Sequence, residues 1–247
     1  MPKIHRTAVP RIESFDLERG RVLAGKYMVL SCLGGGWEGE VYRVREMGTG
    51  IDRAAKLFYP HRNLGQRVSR FHARKLHKLR DCPILIQYHT EEMIRYKTLP
   101  VRLMISEYVD GELLDDFLDR QPGKRMDVSS ALHLLHALLL GVECIHRRGE
   151  YHGDIHSANI ILRRRGLSFD VKLIDFFRRE GNSRLLMRDD LFNLIRIFYD
   201  ALGGPRHYAR HPPVVKAVCC GLKQSLILRK FGTARKLRLH LETMEWD

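Results

Sequence analysis

The hydrophobic positions change period along the chain. Residues 1–19 are polar and aperiodic, which predicts a mobile N-terminal arm. From residue 27, short apolar runs over 27–33, 41–45 and 54–59 are separated by a glycine cluster and a 47–50 turn, the pattern of three strands in a meander. Over 64–80 the period becomes helical, with Leu64, Val68, Phe71, Leu76 and Leu79 on a stripe opposite a basic face. Strands are expected at 84–89 and 101–107, a turn at Asp110 and Gly111, a short helix at 113–118 and a loop at 121–125. Residues 128–148 are the longest apolar helical run, capped by Asp127 or Ser129 and closed by Gly149. Small strands follow at 160–163 and 171–174, and helices at 189–202, 213–222 and 233–244. A strand-rich first part and a helix-rich second part predict an α+β fold of two lobes, 20–109 and 110–247, meeting near residues 107–112.

Composition narrows the partners. Lys and Arg total 43 against 29 Asp and Glu, a net charge of +14. That excess favours nucleotides, nucleic acid, an anionic membrane surface or an acidic protein, and a solvated surface accounts for it equally well. No zinc-finger, RRM or basic-zipper pattern is present, so nucleic-acid binding rests on charge alone. The cysteines at 32, 82, 144, 219 and 220 are odd in number and lack zinc-site spacing. They indicate a reducing, cytoplasmic setting. The first twenty residues lack a continuous apolar core, which argues against a secretory signal. The apolar stretch 131–144 is too short to span a bilayer.

Four segments carry candidate chemistry. Residues 33–42 (LGGGWEGEVY) set Gly34, Gly36, Gly39 and Val41 in a G-x-G-x-x-G-x-V pattern, with Gly35 inside it. Glycines let backbone pass close over phosphates and turn N–H groups toward them; a tight turn is the plainer alternative. The strand that follows, in place of a helix, disfavours a dinucleotide fold. Residues 53–57 (RAAKL) put Lys56 inside a short apolar strand, where its charge needs a partner. It is a phosphate ligand or an outward-facing strand lysine. Residues 151–159 (YHGDIHSAN) form a loop between an apolar helix and a strand, with Asp154 and Asn159 spaced to hold a base and a metal ligand, or to make a polar turn. Residues 171–177 (VKLIDFF) end an apolar strand on Asp175, which needs a cation or donor, or marks a strand-end turn.

In this order the four segments resemble the protein-kinase family. Residues 20–27 (GRVLAGKY) resemble the start of bacterial serine/threonine kinases of the eukaryotic-like type, and 106–111 (SEYVDG) a gatekeeper and hinge. Asp190, opening the DLFNL run, is similar to the family's buried helix aspartate. The resemblance extends over about residues 20–245 and implies a two-lobed protein-kinase-like fold with a β-rich N-lobe and an α-rich C-lobe. It also implies transfer of the ATP γ-phosphate to a hydroxyl of a protein Ser or Thr, with Mg²⁺. On this resemblance Gly34, Gly35, Gly36, Gly39 and Val41 cover the phosphates, and Ala54 lines the adenine pocket. Lys56 pairs the α- and β-phosphates, while Ser106, Glu107 and Val109 supply the hinge. Asn159 and Asp175 hold Mg²⁺, Asp154 accepts or orients the hydroxyl proton, and His156 stands where protein kinases carry a lysine near the γ-phosphate. The implied partner is a protein substrate or an acidic protein.

The chain also departs from the family. No Asp or Glu lies between Asp52 and Asp81, so the expected helix glutamate is missing, with Ala73 or Arg74 in its place. Lys56 is then expected to pair with Asp175 or with nucleotide alone. Gly153 replaces the catalytic-loop arginine and Phe177 the glycine after Asp-Phe. Only fourteen residues separate Asp175 from Asp190, and Arg178, Arg179, Arg184 and Arg188 crowd this stretch, suiting an acidic substrate or a solvated loop. A nucleotide-binding pseudokinase scaffold is the alternative that the missing carboxylate suggests. A small-molecule kinase of the aminoglycoside or choline type is the alternative that the HGDIH string suggests.

Overall fold

The structure is a computed structural model and describes residues 11–166 and 168–245. The chain divides into two compact units. One runs to Arg80 and resumes over Ile86–Val109; the other comprises Asp81–Leu85 and the chain from Asp110 onward.

The first unit is built on an antiparallel six-stranded sheet of β1 (Val22–Leu23), β2 (Tyr27–Gly35), β3 (Gly39–Glu46), β4 (Asp52–Phe58), β5 (Tyr88–Tyr96) and β6 (Leu99–Glu107), ordered β1-β2-β3-β4-β6-β5. Strand β4 lies between β3 and β6, which explains its run of buried residues from Ala55 to Phe58. Val29, Val44, Ala55, Leu57, Val101 and Leu103 are fully buried in its core. The sheet carries α1 (Arg67–Lys78), which contacts β5 and β6.

Three sequence expectations change here. The helical period over 64–80 holds, but the buried face is rotated. Ser69, His72, Lys75 and Leu76 are buried, Leu79 is fully buried, and Leu64 is 58% exposed. Gly65 and Gln66, both at φ 60°, break the chain before Arg67, so Leu64 stands outside the helix. Strand β5 is missing from the hydrophobic pattern because it is a sheet edge with mostly polar, partly exposed positions. Its hairpin turn uses Lys97 (φ 44°) and Thr98 (φ 71°), which lack the Asn-Gly signal such turns usually show. Residues 84 and 85 are not in a strand with it. Leu85 makes an isolated bridge to Leu173, and Leu173 N donates to Ile84 O at 2.7 Å, inside the second unit.

The predicted arm is the third. Residues 1–10 lie outside the described residues, and the rest departs from the expectation. Ile12, Phe15 and Leu17 are buried in the core of the first unit. The Phe15 ring stacks on Tyr59 at 5.3 Å and meets Tyr96 edge-on at 5.1 Å. Phe15 N donates to Glu40 Oε1 at 3.0 Å, and Tyr42 and Tyr59 hydroxyls donate to the same buried carboxylate. Burial, then Glu40, pushes the Tyr59 phenol up to about 12. The apolar residues of 11–17 are singly spaced between polar ones, so no period marks them, and their partners lie far along the chain.

The second unit contains β7 (Glu112–Leu113), α2 (Leu114–Arg120), α3 (Val128–Arg147), β8 (Ile160–Arg165), β9 (Ser168–Leu173), α4 (Ser183–Ala201), α5 (Pro205–Tyr208), α6 (Pro213–Cys219), α7 (Gln224–Lys230) and α8 (Ala234–Thr243). Its three strands form one sheet in the order β7-β8-β9. Asp127 caps α3 by accepting from Ser130 N at 2.8 Å. By length and composition α3 could cross a membrane, yet 61% of its apolar window is buried in the fold, and it packs on α4, α8 and β9. It reads as a core helix. Helix α4 starts at Ser183, earlier than the predicted 189, because Asn182 caps it through Arg184 N while its first turns carry no apolar stripe. The predicted 213–222 helix stops at Cys219, where Cys220 and Gly221 turn to φ 48° and 61°, and α7 follows.

Gly141 shows how tightly α3 holds the 81–85 segment. A Cβ there would lie 2.2 Å from Ile84 Cδ1 and 2.4 Å from its Cβ. Gly141→Ala is therefore expected to cost about 1–3 kcal/mol through overpacking. Its urea midpoint should fall at unchanged slope, and an unchanged midpoint would show that Ile84 repacks freely.

Candidate active site

In the first unit, β2 and β3 form the glycine hairpin. Gly36 N donates to Gly39 O at 2.9 Å and closes its tip, where Trp37 is 63% exposed beneath the Arg62 guanidinium. Gly39 begins β3 opposite Phe58, and a Cβ on it would sit 1.9 Å from Leu57 O. Only glycine allows that approach, so the start of β3, next to the turn, lies directly on β4. The β3–β4–β6 register aligns Val41 with Lys56 and Lys56 with Met104, and Ala54 with Ser106. Ala54, Lys56, Val41 and Ser106 are thus neighbours on adjacent strands. Glu107 turns its carboxylate to the Gln87 N–H at 3.1 Å, and its own N–H donates to Gln87 O at 2.8 Å. Val109 ends the unit two residues later.

Lys56 is 7% exposed, and its ammonium donates to Glu38 Oε2 at 2.9 Å. The same oxygen accepts from His72 Nε2 of α1 at 2.8 Å. Burial alone would raise the Glu38 carboxyl, but His72 and Lys56 outweigh it and hold it down at about 2. The sequence expectation for Lys56 named Asp175 or nucleotide; the structure adds Glu38, a carboxylate from the turn between β2 and β3. Sequence reasoning missed both Glu38 and His72. The family pattern puts the acid on the helix, whereas here it lies within the glycine segment. The signal for His72 was the stripe Ser69, His72, Leu76 and Leu79, spaced three and four apart.

In the second unit, the 151–159 loop is shaped by Asp190 of α4, which is fully buried as expected. Its Oδ2 accepts from His152 N at 2.7 Å and from His146 Nε2 at 3.1 Å; its Oδ1 accepts from Gly153 N at 2.9 Å. Gly153 sits at φ 89°, and a Cβ there would meet Phe177 O at 2.6 Å. A glycine replaces the family's arginine at a position where this loop has no room for a side chain. The His152 ring packs on Phe176 with centroids 4.8 Å apart, and Phe177 N donates to His152 O at 3.3 Å.

This frame brings three of the predicted residues together. Asn159 Nδ2 donates to Asp154 O at 2.9 Å and to its Oδ2 at 3.2 Å, and contacts His156 Nε2 at 2.9 Å. Asn159 is buried, whereas the Asp154 and His156 side chains are about half exposed. Asp175 is registered to them by backbone. Ile160 pairs with Leu173, Ile174 N donates to Asn159 O at 3.0 Å, and Asp175 follows at φ 54°. A non-glycine residue in that left-handed region turns the chain sharply after β9. An amide oxygen and a carboxylate are the hard oxygen donors that Mg²⁺ prefers, and it commonly takes few protein ligands beside phosphate oxygens. The donor set fits that ion. Among the described residues no group of three or more His, Cys, Asp or Glu forms a separate metal cluster.

Comparison with known proteins agrees with this geometry. The protein kinase domain profile matches residues 27–190. A probable serine/threonine-protein kinase of Streptomyces coelicolor is 31% identical over 179 residues, 69% of this chain and 25% of that protein. Serine/threonine-protein kinase pkn2 of Myxococcus xanthus is 28% identical over 190 residues, 75% of this chain and 21% of that protein. The chain thus spans about a quarter of the length of these relatives. The crystal structure of the Mycobacterium tuberculosis PknI kinase domain with two substitutions superposes with a TM-score of 0.67 at 20% identity, covering 92% of this chain and 98% of that one. A profile match over more than half of the residues, on a fold of the same kind, places the chain in the protein kinase family.

Proposed function

We propose that the chain is a serine/threonine protein kinase domain that transfers the γ-phosphate of ATP to a protein hydroxyl with Mg²⁺. The observation that carries this reading is the loop in which Asp190 fixes residues 152 and 153 and Asn159 holds Asp154. Asp154 presents a half-exposed carboxylate that can orient the substrate hydroxyl and take its proton. The glycine hairpin supplies backbone N–H groups for the phosphates, and Lys56 supplies a cation for them. Asn159 and Asp175 would hold the metal ion, which when bound screens phosphate charge. Ala54, Ser106, Glu107 and Val109 form the adenine side. His156, beside Asp154, is available to a phosphate or to the hydroxyl-bearing residue. The exposed Arg178, Arg179, Arg184 and Arg188 favour an acidic substrate segment.

The carboxylate-free α1 was the main argument for a silent scaffold. Glu38 weakens it, because Lys56 has an anionic partner from another element. The test is transfer of labelled γ-phosphate to a serine/threonine peptide library flanked by acidic residues, with and without Mg²⁺. Metal-dependent labelling of Ser or Thr is the expected result. A nucleotide-induced rise in melting temperature without transfer would identify a scaffold, and ATP consumption stimulated only by a metabolite panel would identify a small-molecule kinase.

A further inference from the structure

We propose that Glu38 is the carboxylate that positions Lys56, so that the glycine hairpin, and not helix α1, supplies the anionic partner of the phosphate-binding lysine, with His72 holding Glu38 in place. The inference rests on the phosphotransferase reading for what Lys56 is positioned to do.

Its physical basis is the rigidity of Glu38. The residue lies in the turn that joins β2 to β3, yet its backbone is tied to the sheet. Tyr59 N donates to Glu38 O at 2.9 Å, anchoring its backbone to the end of β4, and Gly39 pairs with Phe58 immediately after it. The near-contact between Gly39 and Leu57 O presses this point onto the strand that carries Lys56. The lysine thus sits on β4, and the carboxylate sits in the turn that leads into β3, the strand paired with it. Lys56 is 7% and His72 2% exposed, so both partners of the shared oxygen are sequestered from water. A carboxylate oxygen that accepts two buried donors has little freedom to turn. His72 lies between Phe58 and Phe71, with ring centroids 5.9 and 5.6 Å away, which fixes the imidazole that reaches Glu38.

The arrangement has a mechanical consequence. Where the partner acid sits on a helix, shifting that helix makes or breaks the pair. Here the acid is held by the turn between β2 and β3, anchored to the end of β4, and α1 contributes the histidine that steadies it. Displacing α1 would loosen Glu38 without removing it from Lys56.

The alternative role for the same contact is inhibitory: Glu38 would occupy the ammonium and keep it from phosphate. The two roles predict opposite signs. If Glu38 positions Lys56, Glu38→Gln lowers kcat by roughly a hundredfold, the cost of misplacing a phosphate-binding group by about 1 Å, with a smaller change in KM for ATP. Glu38→Asp, which keeps the charge, recovers part of the loss. His72→Gln keeps an N–H donor and retains most activity, whereas His72→Leu loses it. A kcat that is unchanged or raised in Glu38→Gln overturns the proposal.

A second measurement does not depend on turnover. Trace acetic anhydride labelling of the folded protein, read by peptide mapping, reports how well Lys56 is protected. Glu38→Gln is expected to acylate Lys56 roughly tenfold faster than wild type. The gain should be absent in wild type and partial in Glu38→Asp. Equal labelling in wild type and Glu38→Gln overturns the pairing. If the wild type transfers no phosphate but Lys56 is protected by Glu38, the phosphotransferase reading fails while the pairing stands, so the two failures are distinguishable. Melting curves of each variant show whether a loss reflects unfolding.

Discussion

Asp154→Asn is expected to lower kcat about 10²–10⁴-fold, the span that a positioned general base contributes, while leaving nucleotide affinity and folding stability nearly unchanged. The substitution keeps shape and removes one negative charge. The Asp154 side chain is 46% exposed, so its carboxylate is solvated and the exchange leaves no buried charge without a partner. The contact from Asn159 Nδ2 to the Asp154 backbone oxygen, at 2.9 Å, does not involve the side chain and survives. What is lost is the ability to take a proton from a hydroxyl. Single-turnover transfer rates, measured with the nucleotide-induced shift in melting temperature, separate the two effects. Transfer within threefold of wild type would remove Asp154 from the reaction.

Much of this was legible in the sequence, and what was not has physical causes. The glycine segment, Lys56, the 151–159 loop and Asp175 were readable because each places an uncommon residue type against a strand or helix boundary. The short apolar runs of β3, β4 and β6 and the long apolar run of α3 were readable because each is buried in a core. Strand β5 was not, because an edge strand needs few apolar residues. The packing of Phe15 was not, because its partners Tyr59 and Tyr96 are distant in sequence and only the fold brings the three rings together. The Glu38 partner of Lys56 was not legible for a similar reason. A linear search asks which acid precedes or follows a lysine on the expected element, whereas strand pairing decides which acid is near. Once Gly39 is set opposite Phe58, the turn residue before it comes within reach of Lys56 on the paired strand.

Asp190 joins stability to the site, and its removal is expected to have the largest effect on folding. Its two oxygens accept from consecutive backbone N–H groups, His152 and Gly153, in a fully buried position. Water cannot replace those acceptors. Asp190→Ala leaves two buried donors unsatisfied, at about 1–3 kcal/mol each, and removes the partner of His146 as well. Asp190→Asn can satisfy one N–H but turns its own amide donors toward the other, so it is expected to fall between Ala and wild type. The damage reaches the chemistry because Gly153, at φ 89°, is held in the left-handed region that aims Asp154. Without the acceptor the loop has reason to relax, so kcat should fall at temperatures where the protein is still folded. Urea unfolding gives the first quantity, and hydrogen exchange at the His152 and Gly153 amides gives the second. Loss of protection at those two amides in Asp190→Ala, with core amides of α3 still protected, is the expected signature. Full protection with wild-type turnover in Asp190→Ala would mean that the loop holds its shape through Phe177 and Asn159 alone, and that Asp190 is dispensable to it.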